Sequence, residues 1–386
     1  MKKHILLCAA LALSSFGLPS CSDILDQKPL DSYTDTAVWG DLSLAESFLN
    51  YCYLRVEAEN TNGVMFCNYT DETYHMHDYG TSTYTQGRAS CDNYNTGWTE
   101  GKGNTWSHYY GGIKLCNQLL EDIMDTPANT DSEKEWKNQI IGQGYFLRAY
   151  YYHMLYSVYG RIPLIDHTYD LDSEFKEERA DMDDVADFIV ADCDKAAELL
   201  PTVYKDASDF GRATKGAALA LKGRVLLYKA SPLFGTPSRE KWQAAADANK
   251  AVIDMNIYSL KQVSNSDEYA DLFFDSKNPE VIFEKLYDEK GIAGSSASLV
   301  MQAPAGPGNG YEGWSTWQPT YEIVELFQNA DGTPYKPAET KPFTILQTTI
   351  DPDSGEATQK EVTIQASDVN PWEGREIRLK ANRSEE

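Results

Sequence analysis

The stretch GYFLRAYYYHMLYSVYGRIPLI, Gly144 to Ile165, limits the possible folds of this chain more than any other part. It holds five tyrosines and one phenylalanine between Tyr145 and Tyr156, with Tyr159 just after. The spacing predicts a helix from about Ser132 to Tyr159, ended by Gly160 and Pro163. On that helix Phe146 and Tyr150 take one face and Tyr145, Tyr152, Tyr156 and Tyr159 another, with Leu147, Tyr151, Met154 and Val158 between them. A helix that is apolar nearly all round must be covered on several sides. Arg148 and His153 in its middle argue against lipid as the cover, so other helices of the same chain are expected to supply it. The rings are then packing material and not a ligand surface.

Partner helices are legible on both sides. Trp106, Tyr109, Tyr110, Ile113, Cys116, Asn117 and Leu120 recur at steps of three and four, which predicts the first clear helix from about Trp106 to Met124. Val185, Ile189, Cys193, Ala196 and Leu200 mark another from Asp183 to Leu200, closed by Pro201. A third runs from the N-cap Thr214 to Ala230, with Ala217, Ala220, Gly223 and Leu227 as a small-residue seam. Ser238 caps a fourth that carries Trp242, Ala245, Ala246, Asn249, Val252 and Ile253. Successive antiparallel pairs of this length predict a mainly α fold of tetratricopeptide-like helical repeats, an α-solenoid over residues 106–255. Residues 60–105 and 256–386 are loop-rich and irregular, with short strand-like runs at Val281 to Glu284, Phe343 to Thr349 and Glu361 to Ile364. A length prior favours two or three domains, but the continuous helical frame favours one, from 21 to 386.

The start of the chain bears on its location. Lys2 and Lys3, the apolar run Ile5 to Leu13 and Leu18-Pro19-Ser20-Cys21 make residues 1–20 a signal peptide. The run is too short to span a bilayer, and no later segment has 18 uninterrupted apolar residues. Removing Lys2 and Lys3 takes the net charge from −25 to −27, with no long basic run, so nucleic acid is excluded as a partner. Cysteines 52, 67, 91, 116 and 193 are odd in number and form no CxxC pair, so core thiols are expected and not a disulfide framework.

The ordered motifs resemble the RagB/SusD family of nutrient-binding outer-membrane lipoproteins. The resemblance rests on Cys21 with Leu25-Asp26 and Pro29; Trp106 through Tyr110, Ile113 and Cys116-Asn117; and Arg148-Ala149-Tyr150 through Tyr159-Gly160 and Ile162-Pro163-Leu164. It continues with Arg212-Ala213-Thr214-Lys215, Trp242 with Ala245-Ala246, and Asn278-Pro279-Glu280-Val281-Ile282-Phe283-Glu284. It implies lipidation of Cys21, attachment to the cell outer membrane, capture of a glycan or oligosaccharide, and a SusC-like TonB-dependent transporter as partner. It implies binding without cleavage, with no catalytic residue and no cofactor. Some members serve peptides instead, which keeps a peptide ligand as the alternative. Near the end, Asn370-Pro371-Trp372-Glu373-Gly374-Arg375-Glu376 is similar to a family segment whose usual proline is replaced by Ile377. Family members typically continue past the point reached by Glu386, so an incomplete helical stack or transporter contact is expected.

Sugars stack their apolar C–H faces on exposed rings, while planar polar groups take the hydroxyls. The candidate ligand contacts are therefore the rings and amides of two Gly-rich segments. They are Asn95 and Trp98 in the first, and Asn309, Tyr311, Trp314 and Trp317 in the second, which precedes a Pro319-Thr320 helix start. Trp372 is also in a loop, Trp106, Trp136 and Trp242 are assigned to the core, and Trp39 is unassigned. His75-Met76-His77-Asp78 offers two imidazoles without a third ligand, so no metal site is expected. Gly306 to Gly310 lacks the Lys-Ser/Thr of a phosphate loop, and Asp351 to Gly355 departs from a calcium loop at its glycine and at Val362. A glycoside hydrolase with an acid pair hidden among 59 carboxylates, and a scaffold that binds only protein, are the remaining alternatives.

Overall fold

The computed structural model describes residues 38–56, 60–61, 64–75, 81–90, 105–170, 172–286, 317–337, 341–350, 357–366 and 374–376. In chain order, the elements begin with α1 (Leu42–Tyr53), β1 (Asn60–Thr61), β2 (Val64–Met65), β3 (Thr73–His75) and α2 (Thr81–Thr85). The helical frame follows: α3 (Thr105–Asp122), α4 (Asp131–Tyr159), α5 (Met182–Leu199), α6 (Lys215–Ala230) and α7 (Arg239–Asp254). The last elements are α8 (Ser266–Asp271), β4 (Trp317–Pro319), α9 (Tyr321–Leu326), β5 (Lys341–Ile350) and β6 (Ala357–Ala366). Each helix from α3 to α7 packs on the next, and α1 lies against α3 and α4. The result is the expected mainly helical, tetratricopeptide-like stack.

Local chemistry sets the helix ends. Before α4, Thr130 accepts from the Glu133 amide at 3.2 Å while the Glu133 carboxylate accepts from the Thr130 amide at 2.8 Å, a reciprocal capping box. Gly160 at φ 66° ends the helix in a conformation that a Cβ would resist. Thr214 and Ser238 accept from the Ala217 and Lys241 amides at 3.3 and 3.2 Å and start α6 and α7 where expected.

The 29 residues of α4 make a rod of about 43 Å at ~1.5 Å per residue. Tyr151, Tyr152 and Tyr156 on it are fully buried. Tyr152 meets Phe188 of α5 at 5.1 Å between ring centroids, and Tyr156 meets Phe234 at 4.9 Å. Tyr151 lies on Gly112 of α3, where a Cβ would come within 2.7 Å of its ring. That glycine is what lets α3 and α4 approach with a tyrosine between them. Outside this core, Lys222–Asp194, Lys229–Asp187 and Lys241–Asp183 join α5 to α6 and α7 at 2.6, 2.5 and 2.9 Å. Such partly exposed pairs contribute about 0–1 kcal/mol each and mainly fix alignment.

Several expectations need correction. The first helix of the frame is α1, not the one at Trp106. Asp41 caps α1, and Leu42, Ala45, Leu49 and Cys52 form its buried stripe. Val281 to Glu284 is irregular and not a strand, because its backbone finds no ladder partner among the described residues. Trp242 is 44% exposed and Ile253 73% exposed, since α7 is covered on its α6 side, where Ala245 and Ala248 are buried. Leu227 of the expected seam is also exposed, as is Val158 on α4. The runs at Phe343 and Glu361 are strands, and they pair as one antiparallel hairpin with Phe343 opposite Ile364. Trp39 packs on Phe48 at 5.1 Å. Cys52, Cys116 and Cys193 are buried free thiols and Cys67 a half-buried one. Among the described residues, no helix is long and apolar enough to cross a membrane.

Candidate functional site

Three of the motif clusters prove to be polar knots that hold the frame. In the first, Arg148 gives Nε to Asp192 Oδ2 at 2.7 Å, Nη2 to Asp192 Oδ1 at 2.9 Å and Nη1 to Asn117 Oδ1 at 2.9 Å. Asn117 Nδ2 then donates to the Ile165 and His167 carbonyls, both at 3.0 Å, and Tyr110 and Tyr152 donate to the Pro163 and Ile165 carbonyls. Burial opposes the Arg148 charge, but the bidentate bond and field of Asp192 outweigh it and hold the guanidinium pKa above its ordinary value. Burial likewise lifts the Asp192 carboxyl above the usual carboxylate range, against the pull of Arg148.

The second knot centres on Arg212, which bonds Asp209 at 2.9 Å, Glu46 at 3.4 Å and Gln143 Oε1 at 3.3 Å. Tyr53 adds a hydroxyl that donates to Gln143 at 2.9 Å and accepts from the Ala213 amide at 3.0 Å. In the third, Asn278 Nδ2 donates to the Leu272 and Asp275 carbonyls, and its Oδ1 accepts from the Glu280 amide at 2.8 Å. Phe283 then meets Phe146 edge-on at 5.0 Å.

The two candidate loops lie just before α3 and β4 in the chain. Asn95, Trp98, Asn309, Tyr311 and Trp314 lie outside the described residues, as do Cys21 and Trp372. What is described is how their segments are tied down. The first segment enters α3 beside Trp106, whose ring meets Tyr110 at 4.8 Å and Tyr159 at 5.1 Å, with the Arg179 guanidinium 6.0 Å above it. The second ends at Trp317, the first residue of β4, which pairs antiparallel with β3 so that Trp317 stands opposite His75 and Gln318 opposite Tyr74. Thr320 reinforces that pair: its amide donates to the Glu72 carbonyl at 2.9 Å, its hydroxyl donates to the Asp71 carbonyl, and it caps α9 as expected. Farther on, buried Arg375 donates to the Val324 and Phe327 carbonyls at the end of α9 and lies 3.6 Å over the Tyr335 ring. The Arg-Glu segment is thus a clamp.

The β3–β4 pairing adds one residue that the sequence argument passed over. Tyr74 is 61% exposed on the strand next to Trp317, while its neighbour His75 is buried. The sequence signal for this ring is the alternation in Thr73-Tyr74-His75, three residues that are too few to mark a strand by themselves. Met76, His77 and Asp78 lie outside the described residues. Among the described residues no group of three His, Cys, Asp or Glu side chains could hold a metal ion.

A family described as "Starch-binding associating with outer membrane" matches residues 23–227, and the SusD family matches residues 279–384. SusD-like protein P38 of Formosa agariphila is 23% identical over 342 residues, covering 82% of this chain and 61% of that protein. SusD-like protein P2 of the same organism is 25% identical over 383 residues, covering 92% and 66%. Among solved structures, a SusD-like protein from Bacteroides fragilis superposes with a TM-score of 0.70 at 25% identity, covering 92% of this chain and 62% of that one. A laminarin-binding SusD-like protein superposes with a TM-score of 0.57 at 23% identity, covering 74% and 63%. The chain spans less than two thirds of the length of these relatives. The helical stack, the ordered knots and two family matches that together take in most of the chain lead to one assignment: this chain belongs to the SusD family.

Proposed function

We propose that this chain is a glycan-binding lipoprotein of a nutrient-uptake system, held on the outer membrane through Cys21 and working with a SusC-like TonB-dependent transporter. The observation that carries the reading is the pair of family matches, 23–227 and 279–384, the first to a family described as starch-binding and outer-membrane-associated. The described architecture suits it, because α3 and the β3–β4 pair directly follow two segments rich in rings and amides. Trp98, Trp314 and Trp317 would offer stacking faces, Asn95, Asn309 and Tyr311 would take hydroxyls, and Tyr74, opposite Gln318, adds an exposed ring on the strand paired with β4. The protein binds its glycan and releases it to the transporter without cleaving it.

Affinity electrophoresis in gels containing laminarin, starch or other polysaccharides tests this. At least one polymer is expected to slow the wild type. Loss of one stacking ring at about 0.5–1.5 kcal/mol, plus its buried area, should weaken binding by about tenfold in Trp98→Ala, Trp314→Ala or Trp317→Ala. Unchanged mobility in every polymer, or release of reducing sugar by the pure protein, would overturn the proposal.

A further inference from the structure

Side-chain contacts align the end of α1 against α3. His108 Nε2 donates to the Arg55 carbonyl at 3.1 Å, just past α1, and a Cβ on Gly111 would stand 3.4 Å from the Arg55 guanidinium. Gly112, one turn on from His108, leaves room for the Tyr151 ring, whose hydroxyl donates to the Cys52 carbonyl at 2.6 Å. Cys116 follows His108 and Gly112 at steps of four, which keeps it on their side of α3. The run is antiparallel, because Arg55 meets the earlier residues of α3 and Cys52 the later one. It ends with the Cys116 thiol in a hydrogen bond with that of Cys52. Both cysteines are 0% exposed, in one apolar core with Tyr151.

Such a pair is two electrons away from a covalent bond between α1 and α3. Exported chains meet oxidants that make and keep disulfides. Burial holds the Cys116 thiol well above its ordinary pKa, with Cys52 adding to the shift, so the folded core keeps it from becoming the thiolate that attacks a disulfide. Exchange therefore belongs to the stage before α1 docks. One cysteine thiolate attacks the disulfide of an oxidant, an oxidoreductase disulfide or oxidised glutathione, and forms a mixed disulfide. The other thiolate then attacks the first cysteine's sulfur. The oxidant leaves as two thiols, having taken up both electrons and the two protons that the cysteines released.

We propose that Cys52 and Cys116 are joined as a disulfide when the exported chain folds, a bond that staples α1 to α3 and closes the segment 53–115 that carries Asn95 and Trp98. The inference rests on the export included in the proposed function and not on its glycan contacts. Closing so long a segment restricts the unfolded chain, which raises thermal stability.

Differential alkylation of the whole chain tests the pair. The protein is denatured and reduced, refolded in oxidised and reduced glutathione, and blocked with iodoacetamide in denaturant. It is then reduced and labelled with N-ethylmaleimide for peptide mass spectrometry. The second label is expected on Cys52 and Cys116. Dithiothreitol should lower the melting temperature of the refolded protein by about 5 °C or more, and should leave that of the double variant Cys52→Ala with Cys116→Ala unchanged. Iodoacetamide on both Cys52 and Cys116, or a bond from either to Cys67, Cys91 or Cys193, would overturn the proposal. The readout needs no ligand, so failure of this pair and failure of the glycan reading are told apart.

Discussion

Arg148→Ala is expected to destabilise the protein by about 3–5 kcal/mol, read as a lowered urea midpoint at an unchanged slope. The side chains of Arg148 and Asp192 are 6% and 2% exposed, so removing the guanidinium leaves a carboxylate sealed in the core without its partner. It also takes away the donor to Asn117 Oδ1, a polar link from α3 to the Arg148–Asp192 pair of α4 and α5. Asp192→Ala should cost a similar amount, from the opposite unpaired charge. The discriminating variant is the double replacement Arg148→Met with Asp192→Leu, which removes both charges and keeps most of the volume. Because the pair's attraction largely offsets its own desolvation, the double variant should lose much less than the sum of the two single losses. Additive losses would show that Arg148 and Asp192 act separately.

Acid should weaken the fold through His153. This imidazole is 4% exposed, its Nδ1 has no hydrogen-bond partner among the described residues, and it meets the Tyr228 ring edge-on at 5.3 Å. Burial, aided by the positive charge of Arg224, lowers its pKa from 6.5 to about 4. The folded protein therefore binds this proton less readily than the unfolded chain does. The stability linked to His153 is complete above about pH 6.5, falls as the pH drops, and is gone below about pH 4. The shift amounts to about 3 kcal/mol in all, of which about 2 kcal/mol is lost by pH 5. His153→Leu removes the titrating group. Its denaturation midpoint should fall less than that of the wild type between pH 7 and pH 5, and parallel curves for the two proteins would refute the assignment.

The two variants above lie in the part of the fold that was most legible. Periodicity located α3 to α7 to within a residue or two, because each carries an apolar stripe bounded by a cap or a proline, as with Thr214, Ser238 and Pro201. The helix α1 has the same signals, Asp41 before the stripe Leu42, Ala45, Leu49 and Cys52, but its 12 residues are short and stand alone between polar segments. Val281 to Glu284 read as a strand because β-branched and aromatic residues suit one, yet pairing depends on a neighbour that local sequence does not reveal. Trp242 read as core because indoles are costly to expose, but the side on which it lies is set by what covers α7. The candidate ligand residues rest on composition and resemblance, and of the six only Trp317 lies among the described residues. Trp98 and Trp314 follow no periodic rule that fixes their separation, whereas the β3–β4 pairing that seats Trp317 joins residues more than 240 positions apart.

The long helix α4 also governs how the protein comes apart. A solenoid in which each repeat touches only its neighbours can shed terminal repeats one at a time. Here α4 reaches past its neighbours α3 and α5 to touch α1 and α6 as well, so those five helices share one beam. Heating should melt them in a single calorimetric transition, and amide exchange should report α7, packed on α6 and tied to α5 by the Lys241–Asp183 pair, as the element that peels away first.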